Sequence, residues 1–230
     1  METLDIYQEG KVLLIDKPLN WTSFQVVNKI RWLIKQQFSI KKIKVGHAGT
    51  LDPLATGLLI LCTGKFTKKI ETYQAQVKEY TGTFTLGATT PSYDLESEID
   101  QKFDISEISK ADILKNTQQF HGKIQQQPPI FSALKKNGKR LYEYAREGSK
   151  IKIPSRSVTI KEFQITKIEL PYIEFRIVCG KGTYIRSLAH DFGKSLNNGA
   201  HLSSLRRTKI GEFRVEDAID VFEVEKFIKS

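Results

Sequence analysis

Twelve consecutive residues, Gly46-His47-Ala48-Gly49-Thr50-Leu51-Asp52-Pro53-Leu54-Ala55-Thr56-Gly57, restrict the backbone of this chain more than any other stretch. The three glycines let the chain bend and approach a ligand closely, and Pro53 biases Asp52 toward an extended conformation. Such a stretch reads as a shaped loop. Leu51, Leu54, Ala55 and Leu58 surround Asp52 with apolar groups, so its carboxylate is expected in a partly dry place, where an acid needs a partner or its pKa rises. Taken alone, these residues also allow the plainer reading of a turn aspartate hydrogen-bonded to its own backbone.

The flanking sequence supplies strands and helices in irregular succession. Val12 to Asp16 reads as a strand closed by the turn Lys17-Pro18-Leu19-Asn20. Thr22 and Gln25 have capping-box spacing, Trp21 and Val26 the spacing of a hydrophobic staple, and Val26, Val27, Ile30, Leu33 and Ile34 form one helical face. Val77 to Leu86 alternates, with Lys78, Tyr80, Gly82, Phe84 and Leu86 on one face, so Tyr80 by itself reads as a core strand residue. Residues 94 to 107 are acidic and read as a solvated loop before a helix around 108 to 118, and a further helix is expected over LYEYAREG. A later strand with Ile173, Phe175, Ile177 and Cys179 on one face ends at Gly180-Lys181-Gly182-Thr183. It opens a helix with Ile185, Leu188, Ala189 and Phe192 at helical spacing. Irregular interleaving of this kind indicates an α+β class rather than regular βαβ alternation. No internal repeat or low-complexity linker divides the 230 residues.

Charge narrows the partners. The 36 Lys and Arg against 26 Asp and Glu leave a formal charge of +10, which favours partners carrying phosphate, nucleic acid first. Lys41, Lys42 and Lys44 run straight into the glycine-rich loop, residues 128 to 140 add four basic side chains, and Arg206, Arg207 and Lys209 make a last basic patch. A membrane surface competes less well, because no long amphipathic basic helix appears. The longest apolar run, Leu58 to Cys62, is far shorter than the ~20 residues of a membrane span, and the N-terminus lacks a signal pattern. A soluble cytoplasmic protein is expected, with Cys62 and Cys179 in packing roles.

Two other classes of function compete with catalysis. A P-loop needs four residues between its first glycine and Gly-Lys-Ser/Thr, whereas six separate Gly57 from Gly64-Lys65, and Phe66 follows the lysine. Nucleotide binding therefore fails on spacing. A passive RNA-binding module would need only the basic clusters and would leave Asp52 incidental. Arg186, in the first turn of its helix, opposes the helix macrodipole and calls for a nearby anion. A bidentate pair with Asp52 would satisfy it, and so would solvent or phosphate.

The Gly46 to Gly57 loop resembles the signature loop of the tRNA pseudouridine synthase B family, which includes the archaeal and eukaryotic box H/ACA enzymes. Further segments resemble that family in the family's order: Lys17-Pro18 with Thr22-Ser23, Glu79-Tyr80-Thr81-Gly82, Pro128-Pro129 before Ser132-Ala133-Leu134-Lys135, and Lys181-Gly182-Thr183-Tyr184-Ile185-Arg186. The resemblance runs over roughly residues 10 to 213. It implies a pseudouridine synthase fold, a central and mostly antiparallel mixed sheet flanked by helices, with a basic RNA-binding cleft. It implies one catalytic domain over residues 1 to 230, with a short tail after 213 and no separate C-terminal RNA-binding domain.

The resemblance also assigns roles. Asp52 is the implied catalytic carboxylate, Arg186 its paired arginine, and Tyr80 the ring that stacks on a flipped uracil and helps to move a proton. Tyr184 and Leu205 would line the uridine site, and His47 would pack into the RNA where the base has left. The implied reaction needs no metal or cofactor, the implied partner is the T arm of tRNA, and a monomer is expected. Two departures stand out. Asn20 replaces a common glycine, which a left-handed asparagine can match, and Phe131 replaces a common tyrosine and lacks its hydroxyl.

Overall fold

The computed structural model describes residues 3–132, 134–149 and 151–229, so Ala133 of the Ser132 to Lys135 segment lies outside the described residues. In chain order the elements begin with α1 (Leu4–Glu9), β1 (Val12–Lys17), α2 (Ser23–Gln37), β2 (Val45–His47), β3 (Ala55–Thr63), α3 (Ile70–Gln74) and β4 (Lys78–Leu86). Then follow β5 (Ala88–Thr89), β6 (Gln101–Lys102), α4 (Lys110–Asn116), β7 (Gly122–Gln126), β8 (Lys135–Lys136), β9 (Lys139–Arg140) and α5 (Leu141–Arg146). The last are β10 (Arg156–Glu169), β11 (Tyr172–Cys179), α6 (Ile185–Ser195), β12 (Ala200–Ile210), β13 (Phe213–Arg214), β14 (Ile219–Asp220) and α7 (Val224–Lys229). The class is α+β, with mixed and mostly antiparallel strand pairing, as the irregular succession indicated. Contacts gather into two units, Met1–Tyr80 with Leu205–Ser230, and Thr81–Ser204.

The first unit is organised around β3. This strand pairs antiparallel with β1 and β2 and parallel with β12. One side of β3 puts Leu59 and Leu61 into a core with Leu13 and Ile15 of β1 and Val26, Val27, Ile30, Leu33 and Ile34 of α2. The other side puts Leu58, Ile60 and Cys62 against Ala48, Ile210 and Val215. Burial on both faces explains the unbroken apolar run, because a strand covered on one face alone would alternate. Helix α2 starts where the sequence supplies its cap: Thr22 accepts from the Gln25 amide, and the Gln25 side chain answers with a bond to the Thr22 backbone.

The second unit has a different core. Strand β10 pairs antiparallel with β11 and with β7. Phe84, Phe120, Phe163, Phe175 and Phe192 pack ring on ring there, with centroids 4.3 Å apart for Phe84 and Phe175. The apolar face of α6, Ile185, Leu188, Ala189 and Phe192, is buried as its spacing required. The acidic stretch from 94 onward differs from the expected solvated loop at its first residue. Asp94 is 4% exposed, while Glu96, Glu98 and Asp100 face solvent. No helix among the described residues is long and apolar enough to cross a membrane.

Strand register sets one row across three strands. Lys17 of β1 lies opposite Gly57 of β3, and Gly57 lies opposite Arg207 of β12. Gly57 has φ +101°, and a Cβ there would stand 2.3 Å from the Arg207 carbonyl oxygen. Gly57→Ala is therefore expected to cost more than ~3 kcal/mol, a forbidden conformation plus a backbone clash. Gly138→Ala, with φ +80° but nothing within 4 Å, should cost only about 1 kcal/mol. Urea midpoints of the two variants check the difference, and equal midpoints would show that the close approach at Gly57 is not rigid.

Candidate active site

The loop between β2 and β3 presents Asp52, and its backbone is pinned on both sides of that residue. On one side Ser23, the first residue of α2, is 3% exposed and holds Leu51 twice. Its hydroxyl donates to the Leu51 carbonyl at 3.0 Å and accepts from the Leu51 amide at 2.8 Å. On the other side the Asn20 amide donates to the Pro53 carbonyl at 2.9 Å, with Asn20 at φ 65°, the left-handed conformation expected of it. The Ala55 amide closes the turn onto the Asp52 carbonyl at 3.0 Å. Asp52 itself is half-buried.

Two buried cations, Lys17 and Arg207, lie against this loop. Lys17, fully buried, donates from Nζ to the carbonyls of Trp21 at 2.6 Å, Pro18 at 2.9 Å and Pro53 at 3.4 Å. Burial pushes its ammonium down from 10.5 to about 8, with the Asp52 carboxylate opposing the shift, the Arg207 cation adding to it and Asp16 opposing it. Arg207 is 1% exposed and donates to the carbonyls of Leu58 at 2.8 Å and Gly49 at 3.1 Å. The basic patch expected at 206 to 209 is thus corrected. Arg207 points into the protein, and Arg206 grips Asp16 with two bonds, at 3.0 and 2.6 Å. A sequence signal existed for Lys17, since Leu13, Ile15 and Lys17 continue one inward alternation. None existed for Arg207, which reads as one more residue in a basic run.

Three other expected site residues belong to the same unit. His47 ends β2 and is half-buried. Burial and then the Arg207 cation hold its imidazole below the usual range, with the Gly49 backbone acting the other way, so it is neutral at pH 7. Leu205 of β12 lies in register with Ala55, at the end of β3 nearest Asp52. Tyr80 of β4 is 8% exposed, on a strand whose neighbouring Glu79 accepts from Thr208 of β12 at 2.8 Å.

Tyr184 and Arg186 belong to the second unit. The buried amide of Gln126 takes both backbone groups of Tyr184, accepting from its N–H at 2.8 Å and donating to its C=O at 3.0 Å. The Arg156 guanidinium lies 4.8 Å from the Tyr184 ring centroid. Arg186 is 3% exposed, so the solvent-facing alternative does not hold. Its guanidinium lies 3.4 Å from the Asp94 carboxylate and donates to the carbonyls of Ser92 and Phe131 at 3.3 and 3.0 Å. In sequence Asp94 reads as one charge of an acidic loop, and no spacing rule links it to Arg186. The contact at Phe131 is through backbone, so the missing tyrosine hydroxyl is not needed for it.

The Lys17 shift has a consequence for stability. Its folded pKa, about 8, lies below the unfolded value of 10.5, so the unfolded chain holds the proton more tightly between those values. The free energy of unfolding should therefore rise from pH 8 to 10.5 by an amount on the order of 3 kcal/mol, and Lys17→Met should flatten that rise. Urea titrations across this range check it, and parallel curves for the two proteins would show that Lys17 titrates normally.

Comparison with known proteins adds to this geometry. The model of the TruB family pseudouridylate synthase N-terminal domain matches residues 35–185, and that of the tRNA pseudouridylate synthase B C-terminal domain matches 186–229. The chain is 63% identical to a Flavobacterium johnsoniae protein named tRNA pseudouridine synthase B, covering 95% of this chain and 96% of that one. A Chloroherpeton thalassium protein of the same name is 51% identical, over 96% of this chain and 92% of its own. Among solved structures, a chain of a Cbf5-Nop10-Gar1 complex superposes with TM-score 0.72 at 29% identity. It covers 98% of this chain, which spans about half of it, 56%. A family model that matches most of the chain, and relatives this similar over nearly all of it, place the protein in the TruB family of pseudouridylate synthases.

Proposed function

We propose that this chain isomerises a uridine in the T arm of tRNA to pseudouridine, acting as a monomer in the cytoplasm, with Asp52 as its catalytic residue. The observation that carries the reading is the Asp52 loop, fixed through Leu51 and Pro53 and set beside the Lys17 ammonium. In the reaction the bond from uracil nitrogen 1 to the ribose breaks and one from carbon 5 forms. Carbon 5 loses a proton and nitrogen 1 gains one, so no second reactant is consumed. Every route through that rearrangement uses an ionised carboxylate beside the glycosidic bond, and a carboxylate that is already oriented needs no reorganisation when the bond breaks.

The remaining roles are those the family resemblance implies, and each suits the chemistry of its side chain. A uridine in a folded loop must leave the stack to be reached. Tyr80 offers the ring for the extruded base, a contact worth ~1–3 kcal/mol, and its hydroxyl is suited to carrying the carbon 5 proton. Tyr184 and Leu205 give apolar lining, and His47, uncharged, fills the gap left in the RNA. Arg186, oriented by Asp94, supplies the planar cation that Asp52 requires during turnover. A passive RNA-binding module is the competing reading, and it would leave every uridine unchanged.

Asp52→Asn keeps the side chain's shape and removes its charge. It is expected to abolish pseudouridine formation while tRNA affinity stays within a few-fold, measured by tritium release and filter binding. Activity within tenfold of the parent would remove Asp52 from the mechanism. Arg186→Lys should lower kcat at least a hundredfold, because an ammonium cannot reproduce a planar grip. Melting temperature and tRNA affinity serve as controls. Normal kcat in a folded lysine variant would show that Arg186 does not act on Asp52.

A further inference from the structure

At the far end of β3 from Asp52 lies a groove of about 700 Å3 that the active site leaves unused. Its lining includes Arg31 and Lys35 of α2, Lys41, Lys42 and Lys44 of the following loop, and Lys68 of the turn after β3. Lys65 also lines it and is held by Glu9 at 2.8 Å, and no Asp or Glu is among the described lining residues. Arg206 and Arg207, held by Asp16 and by backbone carbonyls, are not among its described lining residues.

The groove is built rather than incidental. Phe38, Ile40 and Ile43 pack onto the core beneath α2, which turns Lys41, Lys42 and Lys44 outward. The Gly64 amide donates to the Lys44 carbonyl at 2.9 Å and ties the loop to the turn after β3. Arg31 is fixed by bonds to the Asn28 side chain at 2.8 Å and the Val45 carbonyl at 3.0 Å. The C-terminal end of α2 also lies here, and its partial negative charge favours lysines gathered around it. Like charges held together in this way repel one another, and a polyanion relieves that repulsion.

Distance decides what the groove can meet. Val45 pairs with Thr63, whereas Asp52 sits beside the Ala55 end of the same strand. Eight steps of ~3.3 Å put the two ends roughly 25 Å apart. A nucleotide flipped at Asp52 and its nearest phosphates do not span that length, but a helical stem does. We propose that the groove docks the phosphate backbone of the RNA stem that carries the target loop. The proposal rests on the tRNA reading above and deepens it. The groove positions substrate and takes no part in the chemistry.

The test uses the full chain with Lys41→Glu, Lys42→Glu and Lys44→Glu combined, all three side chains being exposed. Binding is measured across a salt series for full-length tRNA and for a T-loop hairpin with three closing base pairs. The hairpin's three A-form base pairs rise by less than the ~3.4 Å per pair of B-form DNA, so its stem extends under about 10 Å and falls short of the groove. A control variant carries the same charge change at exposed Lys110, Lys115 and Lys161. Expected for the groove variant is at least a tenfold loss of tRNA affinity, with the slope of log K against log salt shallower by about 2 to 3. Hairpin affinity, and kcat at saturating tRNA, should not change.

Unchanged tRNA binding would overturn the proposal. So would an equal loss on the hairpin or in the control variant, since either means that net charge acts instead of a located site. An unmodified chain that binds tRNA but forms no pseudouridine would defeat the enzymatic reading, and the binding comparison would still decide the groove.

Discussion

A row of three residues across three strands, Lys17, Gly57 and Arg207, supports the loop that carries Asp52. Taking an ammonium or guanidinium out of water costs several kcal/mol unless its protons find acceptors. Here the acceptors are backbone carbonyls, those of Pro18, Trp21 and Pro53 for Lys17 and those of Gly49 and Leu58 for Arg207. A carbonyl that must face a buried cation cannot turn away, so the need to solvate two charges becomes a constraint on loop shape. Glycine at the centre of the row lets the backbones of β3 and β12 approach closely enough for this to work. Three segments distant in sequence thus form one mechanical part.

The second unit uses a related device. Gln126 holds both backbone groups of Tyr184, as Ser23 holds both of Leu51, and in each case the clamped residue is a functional candidate or its immediate neighbour. A small buried polar side chain that takes an N–H and a C=O together leaves the backbone little freedom. Arg186 is treated likewise, with a carboxylate and two carbonyls around one guanidinium. Such arrangements spend folding free energy in advance to hold these groups in one geometry.

Much of this was legible in the residues. The α2 cap, the inward face of α2, the alternation of β4 and the doubly buried β3 follow from periodicity and capping chemistry, which act over a few residues. Asp52 stood out because glycine and proline punctuate its surroundings. The partners that organise the site were not legible, since Arg207 meets the loop through strand pairing and Asp94 meets Arg186 across 92 positions. A charged side chain looks the same in sequence whether it faces water or a buried carbonyl. Lys17 is the intermediate case, visible as the third inward position of β1 but easily assigned to the turn that follows.

The split make-up of the first unit, Met1–Tyr80 with Leu205–Ser230, bears on how the protein comes into being. Synthesis proceeds from the N-terminus at ~5–20 residues per second, so roughly 6 to 25 seconds separate the emergence of β4 from that of Leu205. During that interval β3 has β1 and β2 beside it but lacks β12, and its edge on that side is open to any other strand. The Asp52 loop likewise exists for a time without the guanidinium that anchors it. A nascent chain of this design is therefore most exposed to mispairing and to chaperone capture while residues 81 to 204 are being synthesised.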